Sequence, residues 1–262
     1  MTTGQSVVDD LGAKHPETDF QLMSLELSSF DSVKKCAADF NSRYDRLDIL
    51  FLNAGIGMTA ARLSAEGYES HFGVNHMGHA LLTQLLLPKM LQTKRQHQDA
   101  DVRITVTSSI AAVKIAPTAG LVLAEMHNPD AFQRKFTRYG HSKLANILFA
   151  RKLNQSYPSI MTTSTHPGTV KTEIWNRGDG STLISWLTAP AVWLTGTTVE
   201  EGAKTQLWAA TAKDVEGGTF YVPIGKTVGG TASSNSQEQT DELWEYTERE
   251  LAKHGGPGWP EA

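Results

Sequence analysis

The sequence of 262 residues contains a single cysteine, Cys36. A lone thiol cannot close an internal disulfide, which excludes a disulfide-stapled scaffold and fits an intracellular setting. Cys36 falls in a helical stretch with no histidine pattern beside it, so it reads as a packing or surface residue. Long apolar runs are missing as well. The most apolar helical stretch, residues 80–91, is broken by Thr83, Gln84 and Lys89, so no integral membrane segment is expected in this chain. Residues 1–10 lack the apolar core of a signal peptide. Basic runs are absent, and 24 Lys and Arg against 28 Asp and Glu leave a formal charge of −4, which argues against nucleic acid as a partner. No repeat, low-complexity tract or linker divides the chain. The expectation is one cytoplasmic domain over residues 1–262 with a flexible, glycine-rich tail at 255–262. A membrane anchor in a preceding segment stays open.

The chain has ample length and apolar content to bury a core. Strand-like runs fall at residues 20–27, 47–52, 102–107, 161–165 and 219–222. All but the last end in small or turn residues, such as Asn53-Ala54-Gly55, Ser108-Ser109 and His166-Pro167-Gly168. Helical patterns lie between them, at 32–40, 68–91, 139–155, 202–210 and 241–254. Thr198 and Glu201 have the spacing of a capping box. Strands alternating with helices predict a parallel, doubly wound α/β sheet.

Tyr139 and Lys143 stand four apart and share one helix face. A phenol with a pKa of about 10 is a poor base near neutrality, and a nearby ammonium favours its ionised form. The tyrosine can then exchange a proton with an alcohol or ketone oxygen. Ser109 ends a β-branched strand at the carboxyl edge of the sheet, where open α/β sheets place ligands, and can orient that oxygen. The small residues Asn53, Ala54 and Gly55 let a cofactor approach the backbone. Asn75 lies on the next helix, where its side chain can hold a water. Pro167-Gly168 forces a turn before Thr169, Val170, Lys171 and Thr172. His71, His76 and His79 cluster without the carboxylate or cysteine set that a metal site needs, so no metal is expected.

Taken in order, N-A-G, the helical Asn, S-S, Y-x-x-x-K and HPGTVKT resemble the short-chain dehydrogenase/reductase family in its retinol-dehydrogenase-like form. The resemblance runs over nearly the whole chain and implies a Rossmann-type fold. It makes Tyr139 the general acid/base, with Lys143 lowering its pKa and binding the nicotinamide ribose. Ser109 stabilises the substrate oxygen and Asn75 orients a relay water. Asn53, Ala54 and Gly55 line the adenine-ribose side, with Glu26 in the place of the usual Asp. Val170 and Thr172 meet the nicotinamide carboxamide and phosphate region. The implied cofactor is NADP(H), with NAD(H) as the alternative. The implied substrate is a small apolar alcohol or ketone, a reading supported by Leu183, Trp175, Trp186 and Trp193 in the lid segment and compatible with secondary metabolism. The long interval between Ser109 and Tyr139 predicts that residues 117–138 cover part of the substrate site.

The family's opening strand, its T-G-x-x-x-G-x-G loop and its second strand have no counterpart, since no further glycine follows Thr3-Gly4-Gln5 at that spacing. The expected fold is therefore N-terminally truncated, with the strand at 47–52 left as an edge. Three explanations compete: a longer active enzyme, a weak pseudoenzyme, or an inactive interaction module. The last would use the helices at 68–91 and 139–155, the family's usual dimer face, to form a homodimer or to pair with a full-length relative.

Overall fold

In the computed structural model, the residues described are 2–128, 130, 134–168, 170 and 197–262. The apolar runs that end in small residues build the sheet. Strands β1 (Ile49–Leu52), β2 (Arg103–Thr107) and β3 (Met161–Thr165) pair in parallel, with Ile49 opposite Arg103 and Arg103 opposite Met161. β4 (Phe220–Val222) continues the parallel sheet, and the short β5 (Lys226–Thr227) closes it antiparallel, in the order β1-β2-β3-β4-β5. β2 is buried along its whole length, as a strand between two helical layers should be. β1 is an edge, and its Phe51 is 40% exposed.

Residues 20–27, expected as a strand, are not one. They form an irregular link between helix α1 (Thr2–Lys14), which periodicity did not reveal, and α2 (Phe30–Arg43). A strand exists through the partner that takes its ladder bonds, and no sheet neighbour lies beside this run among the described residues. Its end is tied locally instead. The Glu26 amide donates to Ser32 Oγ at 2.9 Å, and the Glu26 carboxylate accepts from the Ser28 amide and hydroxyl. Leu27 is buried, and its carbonyl lies against Gly78 so closely that a Cβ there would collide with it.

The predicted helix at 68–91 has three parts: α3 (Ser70–Phe72), a π-helical turn (Gly73–Met77) and α4 (Gly78–Gln96). α2 packs against α4. After β2 come α5 (Ala111–Lys114) and α6 (Lys135–Ser156), whose residues from Gly140 to Ala150 are all buried. α7 (Val199–Thr211) starts where expected, with Thr198 Oγ1 accepting from the Glu201 amide at 3.2 Å. α8 (Gln237–Lys253) lies on α6.

The segment 255–262, read as a flexible tail, packs. Trp259 stacks on Trp244 at 4.0 Å, Trp244 stacks on Phe149 of α6 at 6.1 Å, and Tyr157 Oη donates to the Pro260 carbonyl at 2.7 Å. This chain's own C-terminal segment thus packs against α6 at Phe149.

His76, His79 and His141 are enclosed in the helical layer. His76 Nε2 lies 2.8 Å from Thr247 Oγ1, and His141 Nε2 accepts from the Val122 amide at 2.9 Å. Burial above all pushes these imidazoles down from 6.5, His76 to about 3 and His79 and His141 to about 4. The unfolded chain takes up these protons as pH falls through about 6.5, whereas the folded chain refuses them. Stability is therefore full above that pH and is lost progressively toward about pH 4. The melting temperature should drop steeply between about pH 6.5 and about pH 4. A flat profile over that interval would contradict neutral burial.

Candidate active site

The carboxyl ends of β1, β2 and β3 open into one cleft of about 810 Å³. Each strand delivers a short loop of small residues to it: Asn53, Ala54 and Gly55 after β1, Ser108 and Ser109 after β2, and His166, Pro167 and Gly168 after β3. Gly168 has φ +90°, a conformation that disfavours any other residue and turns the chain under Val170. α6 supplies Tyr139 and Lys143 from the first turns of the helix, one above the other on the cleft side.

The two serines divide their work. Ser108 Oγ donates to the Lys143 carbonyl at 2.7 Å and pins α6 to β2. Ser109 lines the cleft, its hydroxyl accepts from the Ala111 amide at 3.2 Å, and it works to lower the pKa of the Tyr139 phenol. The Lys143 ammonium donates to the Thr107 carbonyl at 3.0 Å and lies 5.7 Å from the Tyr139 ring centroid. Burial lowers its pKa from 10.5 to about 8. Burial likewise raises Tyr139 above its ordinary value, with Ser109 working in the opposite direction. Lys143 is not among the causes of that shift, which loss of hydration dominates.

Asn75 sits in the π-helical turn, and π turns are frequent at functional sites. Its Oδ1 accepts from the Ile56 amide at 2.8 Å, and its Nδ2 donates to the Ile56 carbonyl and to Ser142 Oγ, each at 3.0 Å. Both amide hydrogens are thus used on protein groups. In this geometry the side chain clamps the loop after β1 to α6. Gly55 is required by the same clamp, since a Cβ there would stand 2.8 Å from Asn75 Oδ1 and 3.5 Å from Lys143 Nζ.

Glu26 does not reach the cleft, because its carboxylate is spent on Ser28. Val170 lines the cleft, whereas Thr172 and the lid residues Trp175, Leu183, Trp186 and Trp193 lie outside the described residues. Of the segment 117–138, Phe136 is at the cleft wall, while the Leu121 amide bonds to Gln239 of α8 instead. Gln206 and His166 are among the polar cleft residues that sequence reasoning missed. Gln206 of α7 donates to Asn53 Oδ1 at 2.8 Å, which Thr107 Oγ1 also reaches at 3.1 Å. His166 lines the cleft with a buried Nδ1 that has no hydrogen-bond partner among the described residues, its pKa pushed down to about 4 by burial and then by Lys114 and Lys143. The turn sequence around Pro167 pointed to His166, while nothing local pointed to Gln206.

Residues 2–120 match the family model for short chain dehydrogenase. Retinol dehydrogenase 12 of Homo sapiens is 30% identical over 245 residues, covering 92% of this chain and 72% of that protein. This chain belongs to the short-chain dehydrogenase family. Short chain dehydrogenase/reductase dpchH of Colletotrichum higginsianum is 37% identical over 212 residues, or 76% of this chain, and the match spans only 51% of that relative's length. Among solved structures, NADPH-bound carbonyl reductase from chicken fatty liver has the same fold, with a TM-score of 0.58 over 85% of this chain and 81% of that one at 22% identity.

As a short-chain dehydrogenase, the chain brings Asn75, Ser109, Tyr139 and Lys143 to one place, with Asn53, Ala54, Gly55 and Val170 around them. The Asn75 clamp holds this arrangement together. Asn75→Ala leaves both polar groups of Ile56 without their partner and should cost about 1–3 kcal/mol in urea unfolding. A loss of only a few tenths would show that the loop after β1 does not depend on it.

Proposed function

We propose that this chain is an oxidoreductase that interconverts an apolar alcohol and its ketone with NADP(H), using Tyr139 as the general acid/base. The observation that carries this reading is the convergence of a phenol, a serine hydroxyl and a buried ammonium at the carboxyl ends of parallel strands. The residues fit the nicotinamide end of the cofactor. Gly55 leaves a cradle that a Cβ would fill, and Pro167-Gly168 gives a turned backbone opposite it. No glycine-rich helix start lines the cleft among the described residues, so the fit concerns the nicotinamide and its ribose. A nicotinamide bound there supplies or removes the hydride.

The chain's own groups do the rest. Ser109 donates to the substrate oxygen and fixes it beside the phenol. Tyr139, a neutral phenol at neutral pH whose pKa burial raises further, gives its proton to that oxygen in the reductive direction and takes it back in the oxidative one. Lys143 places a positive charge beneath the phenol and steadies the anion that forms. The charged side chains on the described wall are Arg62, Lys114 and Lys143, with no carboxylate among them, which suits an anionic nicotinamide cofactor. Ile56, Met58, Ile110, Ile115 and Phe136 make the wall apolar and favour an apolar substrate.

Tyr139→Phe should lower NADPH-dependent ketone reduction by about 10²–10⁴-fold, with cofactor affinity little changed. Lys143 is a cation below about pH 8 and neutral above it. The reductive rate should therefore fall as pH passes about 8, and Lys143→Met should remove that limb along with most of the rate. Near-normal turnover by the tyrosine variant would sink the assignment.

A further inference from the structure

A closed ring of buried polar side chains stands behind the cleft. Glu69 caps α3, with Oε2 accepting from the Phe72 amide at 3.0 Å. Its Oε1 lies 2.7 Å from His71 Nδ1 and 3.4 Å from Arg138 Nε. Arg138 Nη2 donates to the Thr59 carbonyl at 3.1 Å, and His71 Nε2 lies 3.3 Å from Thr59 Oγ1. The four residues are between 0% and 7% exposed, which means that the ring is assembled out of water and that its members depend on one another. Burial works to raise the Glu69 carboxyl, but the bonds from His71 and from the Phe72 amide outweigh it and hold the group below its ordinary range.

The ring joins three pieces of the cleft. Thr59 follows Met58, a buried non-glycine residue at φ +59°. Strain of this kind persists only where the surroundings over-determine it. Both residues line the cleft, and both Thr59 contacts come from the ring. Arg138 directly precedes Tyr139, and the His71 ring meets the Tyr139 ring edge-on at 6.4 Å and 73°. Glu69 and His71 begin the helical run that carries Asn75.

We propose that Glu69, His71 and Arg138 are positioning residues that clamp the strained Met58–Thr59 turn to the helix bearing Tyr139, fixing the wall against which the substrate lies. The role in turnover rests on the oxidoreductase reading, whereas the clamp itself does not. None of the three touches the reacting atoms. Their effect passes through the placement of Met58, Thr59 and the Tyr139 ring.

The test uses the full chain with Arg138→Met, Arg138→Lys and Thr59→Val, the last removing only a hydroxyl. Amide hydrogen exchange read by mass spectrometry should quicken about tenfold or more over residues 56–62 and 70–77 in Arg138→Met. It should be partly restored in Arg138→Lys and stay unchanged over α7. In turnover, Arg138→Met should lose about 10²-fold in kcat/KM for a bulky apolar ketone and keep its affinity for NADPH. Unchanged exchange over residues 56–62, or the same acceleration throughout the chain, overturns the clamp. A wild-type chain that folds but reduces no ketone sinks the oxidoreductase reading alone, and the exchange result still decides the clamp.

Discussion

The Lys143 ammonium is buried beneath the ends of the parallel strands, with the Thr107 carbonyl 3.0 Å away as an acceptor. Taking an ammonium out of water costs several kcal/mol, and the surrounding structure can be understood as what makes that placement tolerable. β2 must end where its last carbonyl can turn toward α6. Asn146 Nδ2 donates to the same carbonyl at 3.0 Å and holds it in line. Gly55 must lack a side chain so that the loop after β1 can pass over the ammonium, and Asn75 must hold that loop down. The incomplete solvation of Lys143 is also what brings its pKa near neutrality.

Much of this was legible in the sequence because it is local. β-branched runs ending in small residues gave the three parallel strands and the loops that follow them. The i, i+4 spacing put Tyr139 and Lys143 on one helix face, and Ser109 came from its place at a strand end. What was not legible comes from tertiary contact. The run at 20–27 has strand-like alternation, but a strand needs a neighbour, and Leu27 instead lies on Gly78. Gln206 reaches Asn53 from a distant helix, and Arg138 meets Glu69 across the fold. The burial that raises the Tyr139 pKa was not legible either, because sequence shows a neighbouring lysine but not how far the pair is dried.

The C-terminal segment changes how the molecule meets its surroundings. Its sequence suggests a loose tail, yet Trp259 and Trp244 form a stacked pair over Phe149 and bury the outer side of α6. The open surface lies at the other end of the sheet, along β1, where Phe51 is half exposed and the strand has β2 alone as its partner among the described residues.

The account rests on the claim that the cleft around Lys143 and Tyr139 holds a nicotinamide cofactor. The most direct measurement is a titration of the purified chain, shown to be folded by circular dichroism, with NADPH and NADH, followed by cofactor fluorescence. The account predicts saturable binding, tighter for NADPH and weakened by Lys143→Met. A folded chain that binds neither cofactor would contradict it.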